Sequence, residues 1–244
     1  MYGYGYKINS GLVLGSGGGG FPNTYSTSYD GVDDYVDVGS LSTLQNATEF
    51  SISSWFKTRL TALQGLWVWF DGADGWLELN CSADGSMVAN VTRFSSATYG
   101  IAAAGTLTAD TWHNATLIFN GGGATNADRL KLYINGALIT LTYTGTIPTQ
   151  TGTMLSSGLH IGERYNGINY FNGNIDEVSI FDSAIYIGDV WTGSGQATDL
   201  NLLATPPINY YRFEEGSGTT AIDSGSGGND GTLINGVAYS TDTP

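Results

Sequence analysis

The sequence predicts an all-β protein: a two-sheet antiparallel β-sandwich with at most one short helix. Three observations carry that prediction. Apolar and polar side chains alternate with period two over many short segments, the pattern of strands packed on one face. Asp-Gly and Asn-Gly pairs, as in FDGADG (70–75) and Asn135-Gly136, punctuate those segments at hairpin spacing. Charged residues are only 12% of the chain, while 36 glycines and abundant Ser, Thr, Asn and Tyr supply turns and strand formers.

In chain order, residues 1–24 read as a Gly/Tyr-rich arm and linker: Tyr2, Tyr4 and Tyr6 alternate with glycine, and the run GSGGGG follows. Residues 25–200 hold the sandwich. Tyr29–Val38 (YDGVDDYVDV) alternates apolar side chains with carboxylates; Asp30, Asp33 and Asp34 fall in a turn and Asp37 faces water. In FSISSWFK (50–57), Phe50, Ile52 and Phe56 share one face and Trp55 takes the other. Leu66–Phe70 and Trp76–Asn80 form a hairpin across FDGADG, with Trp67, Trp69 and Trp76 flanking the turn. Trp112–Phe119, Leu130–Ile134, a type I′ turn at Asn135-Gly136 and the strand ALITLTY (137–143) follow. Leu159–Gly162 and Ile175–Phe181 complete the set. The one helix expected starts from Asp182 or Ser183 as N-cap and runs into AIYIGDVWTGSG. Residues 201–244 contain INYYRF, a DSGSGGNDG loop and GTLINGVAY. These are too few residues to fold alone, so their strands are expected to dock on the same sandwich.

Composition excludes several functions. A net charge of −14, from 8 basic and 22 acidic residues, leaves little to neutralise phosphates, so neither nucleic acid nor an anionic membrane is an expected partner. It fits cation binding or solubility at high display density. No segment approaches a membrane span, and the N-terminus lacks the basic leader and long apolar run of a signal peptide. The single cysteine, Cys81, sits in the apolar stretch LELNC and reads as a buried thiol. With only His113 and His160 beside it, a zinc site has no ligand set.

Four pieces in this order, YDGVDDYVDVG, FSISSWFK, WHNATLIFNG with RLKLYINGA, and LHIGERYNG with FNGNIDEVSIFDSAI, resemble the laminin-G-like jelly roll of the concanavalin A-like lectin/glucanase superfamily. The tail YYRFEEGSGTTAIDSGSGGNDGTLINGV resembles the segment that usually opens such a domain, here placed last. The arm, a single jelly roll and the terminal STDTP are also similar to virion-associated proteins of tailed, especially marine, bacteriophages.

The resemblance implies a lectin-like protein on a virion surface, of head-decoration or fibre type. Its arm would join other virion proteins or further copies, and its outer loops would touch host-surface carbohydrate. The alternative is a carbohydrate-binding module or glycan-active enzyme of the same superfamily. Glucanases of the superfamily use two carboxylates in E-x-D-x-x-E on one strand face. That motif is missing, and the pairs Glu214-Glu215 and Asp176-Glu177 point to opposite faces of a regular strand, so no catalysis is expected. The resemblance also implies a structural Ca²⁺ held between the opening turn and the closing strand. Carried over, its ligands are Asp30, Asp34 and Asp176, with Asp33 or Glu177 as auxiliaries; the same carboxylates equally suit turn capping. Asp223, Asn229 and Asp230 form a second oxygen cluster in the tail. For sugar recognition, Tyr165, Asn166, Asn169 and Tyr170 in ERYNGINYF offer rings and amides at a loop, since most Trp residues in a sandwich are core.

Overall fold

The computed structural model describes residues 21–72, 74–93, 97–153, 158–164 and 167–244. Seventeen strands follow in order: β1 Ser26–Asp30, β2 Tyr35–Gly39, β3 Glu49–Thr58, β4 Gln64–Asp71, β5 Gly75–Cys81, β6 Met87–Arg93, β7 Tyr99–Ala102, β8 Trp112–Asn120, β9 Leu130–Ile134, β10 Ala137–Ile139, β11 Leu141–Thr144, β12 Leu159–Ile161, β13 Asn172–Phe181, β14 Asn209–Tyr211, β15 Thr220–Ala221, β16 Gly231–Ile234 and β17 Ala238–Ser240. They form two antiparallel sheets. One has the order β10-β9-β8-β3-β13-β1-β17, with β14 also on β13; the other runs β11-β7-β6-β5-β4-β12-β2-β16-β15.

The period-two pattern decides which side chains meet between the sheets. From the first sheet come Phe50, Ile52 and Phe56 of β3, Leu117 and Phe119 of β8, and Ile175, Val178 and Ile180 of β13. From the second come Trp67 and Trp69 of β4, Leu77 and Leu79 of β5, and Val36 and Val38 of β2. Trp67 and Trp69 are fully buried, and removing either indole would cost about 3–5 kcal/mol. Trp55 lies on the outer face of its sheet, stacked on Trp191 with ring centroids 5.5 Å apart.

Four sequence expectations change. ALITLTY is two strands rather than one: β10 pairs β9 in the first sheet, then the chain crosses and β11 pairs β7 in the second. The strands β6 and β7 were not anticipated. The helix expected after Ser183 is reduced to a single 3₁₀ turn at Ile187–Asp189. Its Gly188 and β-branched neighbours resist a helix, and Ile185, Ile187 and Val190 instead join Phe181, Leu200 and Tyr210 in a small apolar cluster on the outer face. One α-helical turn, Asn126–Arg129, occurs between β8 and β9, where Thr125 and Asp128 form a reciprocal capping box. Among the described residues no helix is long and apolar enough to cross a membrane.

The tail threads into both sheets. β16 pairs β2, β17 pairs β1, and β14 takes the half of β13 that lies beyond β1. Asp223 anchors the loop between them by accepting from Tyr210 N, Gly225 N, Asn229 N and Asn209 Nδ2. The oxygen cluster of the tail is thereby filled from within.

Candidate functional site

The two outer faces of the sandwich differ. Much of the first sheet's outer face is covered by the apolar cluster just described and by residues 21–25, whose Phe21 ring lies 4.2 Å from the Arg212 guanidinium. The second sheet keeps an open groove of 520 Å³ across β4 to β7, lined by Phe70, Trp76, Glu78, Asn90, Tyr99 and Arg164 among others.

Register explains that lining. Val68 and Phe70 of β4 pair with Glu78 and Trp76 of β5, and these pair onward with Asn90 and Thr92 of β6. Asn90 in turn opposes Tyr99 of β7. The alternate residues Leu77, Leu79, Ala89 and Val91 face the core, so the polar and aromatic set is forced outward together. At the groove floor Glu78, 1% exposed, accepts at Oε1 from Arg164 Nε and Asn80 Nδ2, both at 2.6 Å. Burial pushes the Glu78 carboxyl above the usual range, and the Arg164 guanidinium opposes that push. Beside β4 on the same face, His160 Nδ1 lies 2.6 Å from Glu163 Oε1 and Nε2 lies 3.6 Å from Asp37, with the Tyr35 ring 4.8 Å away.

The residues singled out in the sequence fall in three places. Asp30, Asp33 and Asp34 converge: one carboxylate oxygen of each lies within 4.8 Å of the others. Asp34 is buried and accepts from Asp30 N and Gly236 N, while Asp30 accepts from Val32 N, so turn capping is realised there. Asp176 and Glu177 are not part of that group. β1 pairs β13 with Asp30 opposite Asn172, so Asp176 stands four residues further along, about 13 Å away at the usual strand rise. The register thus separates Asp176 from Asp30, and among the described residues only Asp30, Asp33 and Asp34 converge.

Asp176 and Glu177 also correct the expectation that they face opposite ways. A bulge interrupts β13 between Asp176 and Ser179, and Glu177 adopts φ +50°. Ile175 and Val178 both remain in the core, so the two acids between them turn outward together. They are 0% and 3% exposed. Glu177 Oε2 bonds the Tyr210 hydroxyl, and Arg212 Nε stands 3.6 Å from Oε1. Asp176 Oδ2 has no partner among the described residues. Burial, then their mutual repulsion, holds Asp176 well above the usual carboxylate range, and burial pushes Glu177 up to about 8.

Of the loop residues, Tyr165 and Asn166 lie outside the described residues. Asn169 and Tyr170 line a separate 340 Å³ depression with Gly31, Val32, Gln64 and Asn172. The main groove, which Trp76 lines, was missed because Trp76 was grouped with its core neighbours. Its signal was the alternation in WLELN, which puts Trp76, Glu78 and Asn80 on one face. Glu214 accepts from Thr24 N and Tyr25 N, and Glu215 from Ile222 N and the Tyr239 hydroxyl, so both are structural anchors. His113 bridges Thr108 and Asn135, and burial lowers its pKa. Cys81 is fully buried, its thiol pushed up to about 12.

A two-sheet jelly roll with one face covered and one carrying an aromatic, hydrogen-bonding groove defines a lectin-like class of protein. Residues 30–190 match the family description of the concanavalin A-like lectin/glucanases superfamily, laminin G type, and the chain belongs to that superfamily. Among solved structures it is similar to a candidate carbohydrate-binding protein from Bacteroides ovatus (TM-score 0.63, 14% identity, 90% of this chain and 60% of that one). It is also similar to the heptameric SAP-like pentraxin of Limulus polyphemus (TM-score 0.57, 14% identity, 89% of this chain and 94% of that one). At such identity the likeness shows the fold alone. No curated protein sequence matches the chain significantly.

Proposed function

We propose that this chain is a non-catalytic glycan-binding protein displayed on a phage virion, with its ligand lying in the groove of the nine-stranded sheet. The observation that carries the binding reading is the groove itself: three aromatic rings beside a fixed carboxylate, guanidinium and amide in 520 Å³. Aromatic faces take the C–H faces of sugars, and a few placed polar groups orient the hydroxyls. The non-catalytic part is supported by the lining, where Glu78 is the one carboxylate among the described residues and is paired with Arg164. Glycoside hydrolysis needs two carboxylates flanking the bond. The virion setting rests on the sequence resemblance, with the arm joining virion proteins or further copies and a charge of −14 suiting dense display.

A glycan array probed with wild type and Trp76→Ala tests the site: binding to at least one glycan is expected, lost in the variant while its circular dichroism is unchanged. A blank array refutes glycan binding, and release of reducing ends from a bound glycan refutes the non-catalytic part. Mass spectrometry of purified virions tests the location.

A second reading concerns Ca²⁺. The turn Asp30–Asp34 gathers three carboxylates within 4.8 Å, a hard-oxygen set that fits such an ion. Asp30, Asp33 and Asp34 would hold it, and it would brace the turn between β1 and β2. An unchanged melting temperature in EDTA and in excess calcium overturns this reading, since an ion bound to the native state raises stability.

A further inference from the structure

The groove is balanced in charge before any ligand enters. Among its described lining residues Arg164 is the one cation and Glu78 the one anion, joined at 2.6 Å. Each lines the groove and has polar atoms without a described hydrogen-bond partner. Arg164 uses Nε on Glu78 and its guanidinium carbon lies 5.7 Å from the Trp76 ring centroid, while Nη1 and Nη2 donate no hydrogen bond to a described residue. Glu78 takes both of its bonds at Oε1, leaving Oε2 without a described partner. Asn90 accepts from Thr92 Oγ1 through Oδ1, leaving its Nδ2 as a further donor. The site therefore offers several donors and a strong acceptor with no net charge.

We propose that the groove takes a neutral, hydroxyl-rich sugar and discriminates against uronic, sialic and sulfated ones; this rests on the glycan-binding reading above. A sugar hydroxyl both donates and accepts, so adjacent hydroxyls match the guanidinium fork and Glu78 Oε2 together through charge-assisted bonds. A carboxylate or sulfate can only accept. It would use the fork, leave Glu78 Oε2 unanswered, and bring a second anion to a guanidinium whose charge Glu78 already offsets. The whole chain carries −14, which adds a long-range repulsion toward an anionic ligand. The apolar remainder of the wall, Val88 and Ile101 with Trp76 and Tyr99, has no use for charge.

Isothermal titration with neutral hexaoses (cello-, manno- and laminarihexaose) and with acidic probes (oligogalacturonate, 3′-sialyllactose, heparin hexasaccharide) tests this. The titrations are run at about 20 and about 300 mM NaCl, which brackets weak and strong screening. Binding is expected for a neutral probe, with Kd changing less than about twofold with salt. Arg164→Gln, at a partly buried position, and Glu78→Gln should each weaken it by roughly tenfold or more, the loss of a charge-assisted bond. Thermal melts confirm that the variants fold. An acidic probe that binds more tightly than every neutral one, with affinity falling steeply with salt, overturns the charge inference and leaves glycan binding standing. So does neutral binding indifferent to both substitutions. No binding by either set removes both readings.

Discussion

Asp176 and Glu177 should make this protein lose stability as the solution becomes more alkaline. Both carboxyls are buried at the bulge in β13, with Arg212 Nε at 3.6 Å from Glu177 the one cationic group among the described residues in an ion pair with them. Glu177 is raised from 4.5 to about 8 by burial above all, and Asp176 is raised by burial and by Glu177. Between those two values the folded chain keeps a proton at Glu177 that the unfolded chain has released. The folded state binds more protons, so this contribution is complete below 4.5, declines through the window and is gone above about 8. One proton corresponds to about 1.4 kcal/mol per pH unit, and so to at most about 5 kcal/mol over the window from 4.5 to about 8. That is a large share of the ~5–15 kcal/mol that stabilises a domain. Asp176→Asn keeps the shape and removes the charge facing Glu177. The variant should be about 1–3 kcal/mol more stable than the parent near pH 8, a Tm about 3–9 °C higher, and nearly equal to it near pH 5. Urea denaturation followed by circular dichroism in EDTA measures both. A wild-type midpoint that ignores pH, or a variant that is weaker near pH 8, would refute the reasoning. So would calcium that stabilises the wild type and not Asp176→Asn, because the pair would then be holding a cation in place of protons.

Two structural predictions follow from single positions and from the tail. Gly136 has φ +74°, and a Cβ there would meet Trp191 Cδ1 at 2.1 Å, so Gly136→Ala should cost about 2 kcal/mol or more by thermal melt; a change under about 0.5 kcal/mol would contradict the close approach. Deleting residues 231–244 removes β16 and β17 and leaves edges of β1 and β2 unpaired. The truncated chain should lose cooperative unfolding or aggregate, and a monomeric product with native circular dichroism would show that the tail is dispensable.

Much of the sandwich was legible because a strand's period is two and needs only local residues. FSISSWFK assigned Phe50, Ile52 and Phe56 to the core and Trp55 to the opposite face; the structure agrees, with Trp55 buried there against Trp191. Asn135-Gly136 marked a turn because both residues sit at positive φ, +50° and +74°. What failed depended on partners distant in sequence. The crossing at Thr140, which divides ALITLTY between the sheets, takes a single residue between β10 and β11 and puts no residue of 137–143 at positive φ, so no turn signal marks it. The bulge at Glu177 turned two neighbouring acids to one face, against the period that otherwise held. The register of β1 on β13 separated Asp176 from the acidic turn by four positions.

By itself, then, the sequence determined the strand content, the hairpin turns, most core faces and the acidic turn at Asp30, Asp33 and Asp34, all consequences of side-chain chemistry within a few residues. Tertiary structure alone decided where those strands lie beside one another. Lateral pairing brought Phe70, Trp76, Asn90 and Tyr99 from four strands, with Arg164 from beyond β12, into one groove. It buried Asp176 and Glu177 beneath residues 21–25 and the 182–208 segment, and it returned the tail to β1 and β2. A strand's own residues specify which side faces in; its neighbours are chosen by long-range pairing that no local pattern encodes.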